Sequence, residues 1–129
     1  MNDPEWMEAF ESCILPIGSF HHTEHVKMAF LYLQKFAPLE ALGRFSSNLT
    51  RFAAAHGKPG LYNETITWAF LLIIRERIAR GDSPQTWAEF SSANADLLRW
   101  DENILKKYYR KETLSSDLAK RIFLFPDKL

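Results

Sequence analysis

The chain has 129 residues, of which 47% are hydrophobic and 25% are charged. These values are typical of a globular protein, and a chain of this length usually folds as one domain, so we expect a single domain over residues 1–129. Lys and Arg together number 16, as do Asp and Glu. This balance argues against a nucleic-acid partner, because general nucleic-acid binders carry an excess of positive charge.

Cysteine usage and hydropathy indicate the cellular compartment. Cys13 is the only cysteine, so no internal disulfide can form, and a reducing compartment is expected. The first ten residues lack the basic region of a secretory signal. The longest apolar run, Trp68–Ile74, is too short to span a bilayer. The sequence therefore predicts a cytoplasmic protein without a membrane partner.

Helix-start and helix-stop residues predict three helices in the first half of the chain. Asp3-Pro4 opens the first, since Asp is a good N-cap and Pro is tolerated in the first turn, and segment 16–18 ends it. The second helix begins within residues 19–23. Pro38 opens the third, which ends at Gly57 because glycine accepts the left-handed conformation that often follows a helix.

A fourth predicted helix, at about residues 63–80, has Asn63 as its N-cap. Its middle, Trp68–Ile74, is apolar on all sides, which is also compatible with a buried strand. The helix-forming residues that follow favour a helix that touches several neighbours. Phe70 and Leu71 are therefore expected to be fully buried at the centre of the fold.

Three shorter helices are predicted in the last third of the chain. Ser83-Pro84 starts one, Asp101 caps the next, and Ser115 or Ser116 caps the last. The side chains expected to face inward are Trp87, Phe90, Ile104, Leu105, Tyr108, Leu118, Ile122 and Phe123. Strand-like alternation does not occur. The sequence thus predicts an all-α fold, an irregular bundle of six or seven helices around the central apolar helix.

Three of the four histidines lie in the segment Phe20-His21-His22-Thr23-Glu24-His25. His21 and His25 are four residues apart, and His22 and His25 are three apart, so on a helix either pair shares a face. Two neutral imidazoles placed in this way can chelate a divalent metal ion. The alternative is a helix start whose histidines are structural.

The segment Tyr62–Thr67 is a second candidate for function. Glu64 falls in the first turn of the fourth helix, where the helix dipole favours an anion, while the alternative is simple capping by Asn63. His56 stands at the end of the third helix, where a cationic side chain suits the negative end of the dipole. The basic run Lys106–Lys111 is interpreted as a solvated helix face.

The two motifs together resemble a family of small uncharacterised bacterial proteins with an FHHxxHVxxA motif and a YHETxT motif. The segment Asn94–Leu98 and the pair Tyr108-Tyr109 are also similar to that family, so the resemblance covers most of the chain. It implies bacterial origin and supports the helix boundaries, but it implies no activity. In that family a His commonly stands where this chain has Asn63.

Short connections predict that the second, third and fourth helices run up, down and up, which brings all four histidines to one end of the bundle. There we expect His22 or His25 to share a pocket with Tyr62 or Glu64. One hypothesis is an enzyme or metal-binding protein that holds a divalent transition metal with the ligands His22, His25 and Glu64, with His21, Tyr62, Asn63 and His56 as ligand-binding neighbours. The other is a non-catalytic interaction module, or a site for an anion or small molecule, in which the histidines are structural.

Overall fold

A computed structural model describes residues 1–81 and 85–128. These residues form seven α-helices joined by turns and short 3₁₀ segments: α1 (Asp3–Glu11), α2 (His22–Lys35), α3 (Pro38–Ala55), α4 (Glu64–Arg80), α5 (Trp87–Ala93), α6 (Lys111–Leu114) and α7 (Asp117–Arg121). No strand occurs in the two described ranges, so the predicted all-α fold is confirmed. Across the same ranges, no helix combines the length and the hydropathy needed to cross a membrane.

Helix α4 lies at the centre of the bundle, as its apolar sequence predicts. It packs against α2, α3 and α7. Phe70, Leu71 and Ile74 have no exposed surface, so the expected burial of the first two is confirmed. Leu72 is 42% exposed, which shows that one side of α4 reaches the solvent although its sequence is apolar there.

Most predicted helix boundaries in the first half agree with the structure to within a residue or two. The predicted end of the first helix at residues 16–18 is wrong, because α1 ends at Glu11 and Cys13 after it takes the left-handed conformation, with a φ of 61°. The N-cap of α1 is Asn2 rather than Asp3, because the Asn2 side chain accepts a backbone N–H of the first turn. Helix α2 begins at His22, within the predicted window, and α3 begins at Pro38. Gly57 follows α3 with a φ of 71°, the left-handed conformation expected of a helix stop.

The last third departs further from prediction. Ser83 and Pro84, the predicted start of the fifth helix, lie outside the described residues. Helix α5 begins at Trp87, and the Thr86 hydroxyl accepts the backbone N–H of Glu89 at its N-terminus.

The predicted helix after Asp101 is instead a single 3₁₀ segment, Ile104–Lys107, and its N-cap is Asn103. The segment is too short for its buried face to continue to Tyr108. That residue is 42% exposed, whereas its neighbour Tyr109 is 3% exposed. The prediction that Tyr108 faces inward is therefore wrong, and Tyr109 takes that place.

Helix α7 has the predicted cap, Ser116, whose side chain accepts the N–H of Ala119. The inward face is shifted, since Ala119 has no exposed surface while Leu118 and Ile122 are 44% and 46% exposed. Because α7 has only five residues, one small side chain is enough to seat it against α4. The predicted burial of Leu118 and Ile122 is wrong for that reason.

The segment after α7 is held on α4 through the buried side chain of Thr65. The Thr65 hydroxyl donates to the Ile122 carbonyl at 2.8 Å and accepts from the Leu124 N–H at 3.1 Å. The Tyr109 hydroxyl donates to the Leu124 carbonyl at 2.7 Å. These bonds satisfy a polar group inside α4 and fix the C-terminal segment across the central helix.

Candidate functional site

A cavity of about 420 Å³ opens where α2 and α4 begin and α3 ends. This meeting of helix ends is the arrangement that the up-down-up topology predicts. We call it the histidine cavity, and its size lies in the usual range for small-molecule sites. Its lining residues are mostly apolar or aromatic, and they are Ile17, Phe20, His21, His22, His25, Leu49, Phe52, Ala53, Leu61, Tyr62, Asn63, Ile66, Thr67 and Trp100.

His22 is fixed in one wall of the histidine cavity. Its Nε2 lies 2.8 Å from the carbonyl oxygen of Leu97. Its ring centroid is 4.8 Å from that of Phe70 and 5.1 Å from that of Trp100. Burial lowers the pKa of His22, and the hydrogen bond to the Leu97 carbonyl opposes that effect in part. His22 is therefore neutral at physiological pH.

His25 lies one turn further along α2, on the same face. Burial lowers the pKa of His25 from 6.5 to about 3, and repulsion from His22 adds to the effect. Its ring centroid is 5.2 Å from that of Phe45. Neither ring nitrogen forms a hydrogen bond to a described residue. Neither is among the fully buried polar atoms that lack a partner, so both retain some accessible surface. The neutral ring of His25 therefore presents hydrogen-bonding atoms to the cavity.

His21 is the exposed N-cap of α2 and stands at the rim of the histidine cavity. Its backbone N–H donates to a carboxylate oxygen of Glu24 at 2.8 Å. This contact is half of a capping box, in which the third helical residue reaches back to the cap. His21 thus contributes to the start of α2 as well as to the rim.

Tyr62 lines the histidine cavity, but Glu64 does not. The Tyr62 hydroxyl donates to a carboxylate oxygen of Glu64. Burial and this hydrogen bond raise the pKa of Tyr62 to about 12. Glu64 itself lies in a separate surface groove beside Thr50 and Trp68. Tyr62 therefore stands between the two depressions and holds the carboxylate on the far side.

The predicted metal set of His22, His25 and Glu64 is not assembled. Among residues 1–81 and 85–128, no three His, Cys, Asp or Glu side chains stand close enough to hold a metal ion. The two histidines share the cavity, but the carboxylate is drawn into the groove by Tyr62. The sequence spacing along α2 and α4 places the two histidines and Glu64 near one end of the bundle. It does not indicate that the Glu64 side chain points away from the histidine cavity.

Asn63 also lines the histidine cavity, with both of its polar atoms already occupied. Its Oδ1 accepts the Ile66 N–H at 2.9 Å, and its Nδ2 donates to the Leu114 carbonyl at 2.8 Å. The first bond caps α4, and the second joins α4 to α6. These contacts agree with the predicted alternative, in which Asn63 is a structural N-cap of the fourth helix.

His56 does not line the cavity, although its predicted position at the end of α3 is right. Its ring packs edge-on against Phe52 with centroids 4.6 Å apart. Its Nε2 is buried and has no hydrogen-bond partner among the described residues. The ring is turned into the protein beside Phe52, so the prediction that His56 is a ligand-binding residue does not agree with the geometry.

Trp100 is one of the cavity residues that the sequence does not identify. It is 51% exposed and covers one side of His22. It belongs to the irregular segment between the last turn of Ala95–Leu98 and the segment Ile104–Lys107. No helical period runs through that segment, so no sequence pattern relates Trp100 to α2.

Comparisons of the chain with protein-family models, with curated proteins and with solved structures gave no match. The resemblance of the two motifs to a bacterial family therefore stays a prediction.

Proposed function

We propose that this protein binds a small, uncharged and mainly apolar molecule in the histidine cavity. The observation that carries the proposal is the pair of neutral imidazoles, His22 and His25, in a cavity of about 420 Å³ with aromatic walls. Apolar surroundings with a few oriented polar groups are the usual composition of a small-molecule site. The apolar walls supply affinity, and the imidazoles and the Thr67 hydroxyl orient the ligand.

The charge of the lining favours an uncharged ligand over the anion of the alternative hypothesis. Among the described residues that line the cavity, none is Lys, Arg, Asp or Glu. A carboxylate or an ammonium group buried without a counter-charge costs several kcal/mol, since its hydration is lost and no ion pair replaces it. The N-termini of α2 and α4 supply only partial charges.

The proposal places the protein in the cytoplasm, as a single small cysteine-poor chain, and gives it no nucleic-acid partner. The balance of 16 basic and 16 acidic residues supports the second point. The proposed compartment and the proposed absence of a nucleic-acid partner rest on the sequence alone, and they do not depend on the identity of the ligand.

A matched series of ligands tests the proposal. Benzyl alcohol, benzoate and benzylammonium have nearly the same shape and differ in charge. For about eight non-hydrogen atoms we expect a dissociation constant on the order of 1 mM for benzyl alcohol, measured by saturation-transfer NMR. Benzoate and benzylammonium should bind at least tenfold more weakly. Tighter binding of benzoate would favour the anion site instead.

Two adjacent alanines of α3 provide the variant and its control. Ala53 is 5% exposed and lines the cavity, so Ala53→Phe should fill part of it and abolish benzyl alcohol binding. Ala54 is exposed on the same helix, and Ala54→Phe should bind as the parent does. Equal binding by both variants would place the ligand elsewhere. Zinc chloride titration completes the test, since a stoichiometric ion held by His22 and His25 would overturn the proposal.

A further inference from the structure

The hydrogen bond of His22 determines which of its ring nitrogens carries the proton. The Leu97 carbonyl oxygen, 2.8 Å from Nε2, can only accept a hydrogen bond, so Nε2 must be the donor. In a neutral imidazole the other nitrogen then has a free lone pair. Nδ1 of His22 is therefore an acceptor.

This acceptor is held in a fixed orientation. Leu97 has no exposed surface, so the carbonyl that anchors Nε2 belongs to a buried residue of the core. Phe70 and Trp100 contact the His22 ring. Nδ1 has no partner among the described residues, and it is not among the sealed polar atoms. His22 lines the cavity, so a ligand that displaces solvent there can bond to this atom.

His25 and Thr67 can adapt their hydrogen bonding to a ligand, whereas His22 cannot. His25 has no hydrogen bond that selects a tautomer, so either of its nitrogens can donate or accept. The Thr67 hydroxyl can rotate to do the same. The polar atoms of Tyr62 and Asn63 are already engaged by Glu64, Leu114 and Ile66. Nδ1 of His22 is thus a fixed acceptor that is left free, and a ligand atom facing it must be a donor.

The walls of the cavity indicate the shape of that ligand. Phe20 and Phe52 lie 5.3 Å apart between ring centroids, and both line the cavity with Trp100. Aromatic side chains pack well against flat rings in stacked or edge-on arrangements. A planar ring with one hydrogen-bond donor matches these walls and the acceptor together.

We infer that the ligand is an uncharged aromatic compound with an N–H or O–H donor, of the indole or phenol class, and that Nδ1 of His22 accepts its hydrogen bond. The inference rests on the proposed function, because it names the chemical class of the ligand in the same cavity.

Indole and benzofuran provide the test. They have nearly the same bicyclic shape, but benzofuran has an ether oxygen where indole has its N–H donor. Indole should bind about three- to tenfold more tightly, the factor expected of one hydrogen bond. In His22→Phe the acceptor is lost and the ratio of the two affinities should fall to about one. Ala53→Phe should abolish the binding of both compounds.

The outcomes separate the inference from the proposed function. Equal binding of indole and benzofuran to the parent protein would overturn the donor requirement and leave the cavity as a ligand site. If neither compound binds, or if both bind Ala53→Phe as well as the parent, the proposed function itself fails. Nitrogen-15 NMR of the parent protein gives a second measurement that needs no variant at His22. The Nδ1 resonance of His22 should shift on addition of indole and not on addition of benzofuran. An unchanged resonance at saturating indole would overturn the inference.

Discussion

Acidification should destabilise this protein through His25. The pKa of His25 is about 3 in the folded protein, against an ordinary value of 6.5 that applies to the unfolded chain. Between these values the unfolded chain binds a proton that the folded protein does not. Stability is therefore fully present above pH 6.5 and falls as the pH drops towards 3, with a slope that approaches about 1.4 kcal/mol per pH unit.

Between pH 7 and pH 5 the loss from His25 should be about 2 kcal/mol. Urea denaturation followed by circular dichroism measures it, and the midpoint should fall by about 1 M at the slope usual for a small protein. In His25→Phe the titrating group is absent, so most of the loss should disappear. Tyr62→Phe is the control, since it alters the same cavity and keeps the imidazole. An unchanged pH dependence in His25→Phe would refute the reasoning.

Three further predictions concern the free energy of unfolding, measured by urea denaturation at pH 7. Phe70→Ala should lower it by about 3–5 kcal/mol, through lost burial and the cavity that remains. Leu72 is 42% exposed, so Leu72→Ala should lower it less than half as much, and similar losses for the two variants would show that α4 is not central. Asn63→Ala should cost about 1–3 kcal/mol, because it removes the α4 cap and leaves the Leu114 carbonyl without its donor; no loss would show that these bonds do not form in solution. His56→Phe should leave stability unchanged or raise it by about 1 kcal/mol, because it replaces a buried nitrogen without a partner; a loss above about 2 kcal/mol would indicate an unseen bond to that nitrogen.

Local sequence signals identify the first four helices because each is long enough to show them. Pro38 begins α3 and Gly57 follows it, and both signals act within the chain itself. The apolar centre of α4 likewise predicts the burial of Phe70 and Leu71. In α2, α3 and α4 the local preference and the tertiary packing favour the same structure.

The C-terminal third is less predictable because its elements are short. A 3₁₀ segment of four residues and a helix of five residues show no complete period of side chains. Their inward residues, such as Tyr109 and Ala119, are selected by contacts with α4 and the segment after α7. Such contacts join residues far apart in sequence, so periodicity within one segment does not contain them.

The candidate site is predicted in location and only partly in composition. Helix direction brings the histidines of α2 and Tyr62 to one end of the bundle. The orientation of Glu64 depends on its bond to Tyr62, and that of His56 depends on its packing against Phe52. Side-chain orientation of this kind is set by neighbours, whereas sequence spacing fixes only the position along a helix.

The two hydrogen bonds of Thr65 have a consequence for the order in which the chain can fold during synthesis. Its partners, Ile122 and Leu124, lie 57 and 59 residues later. A ribosome must therefore synthesise the chain past Leu124 before the hydroxyl inside α4 can bond to both partners. Until then, burying that side of α4 leaves a polar group unsatisfied, at a cost of about 1–3 kcal/mol. The central helix can form from its own sequence first, but it should acquire its final packing only when residues 122–124 have emerged.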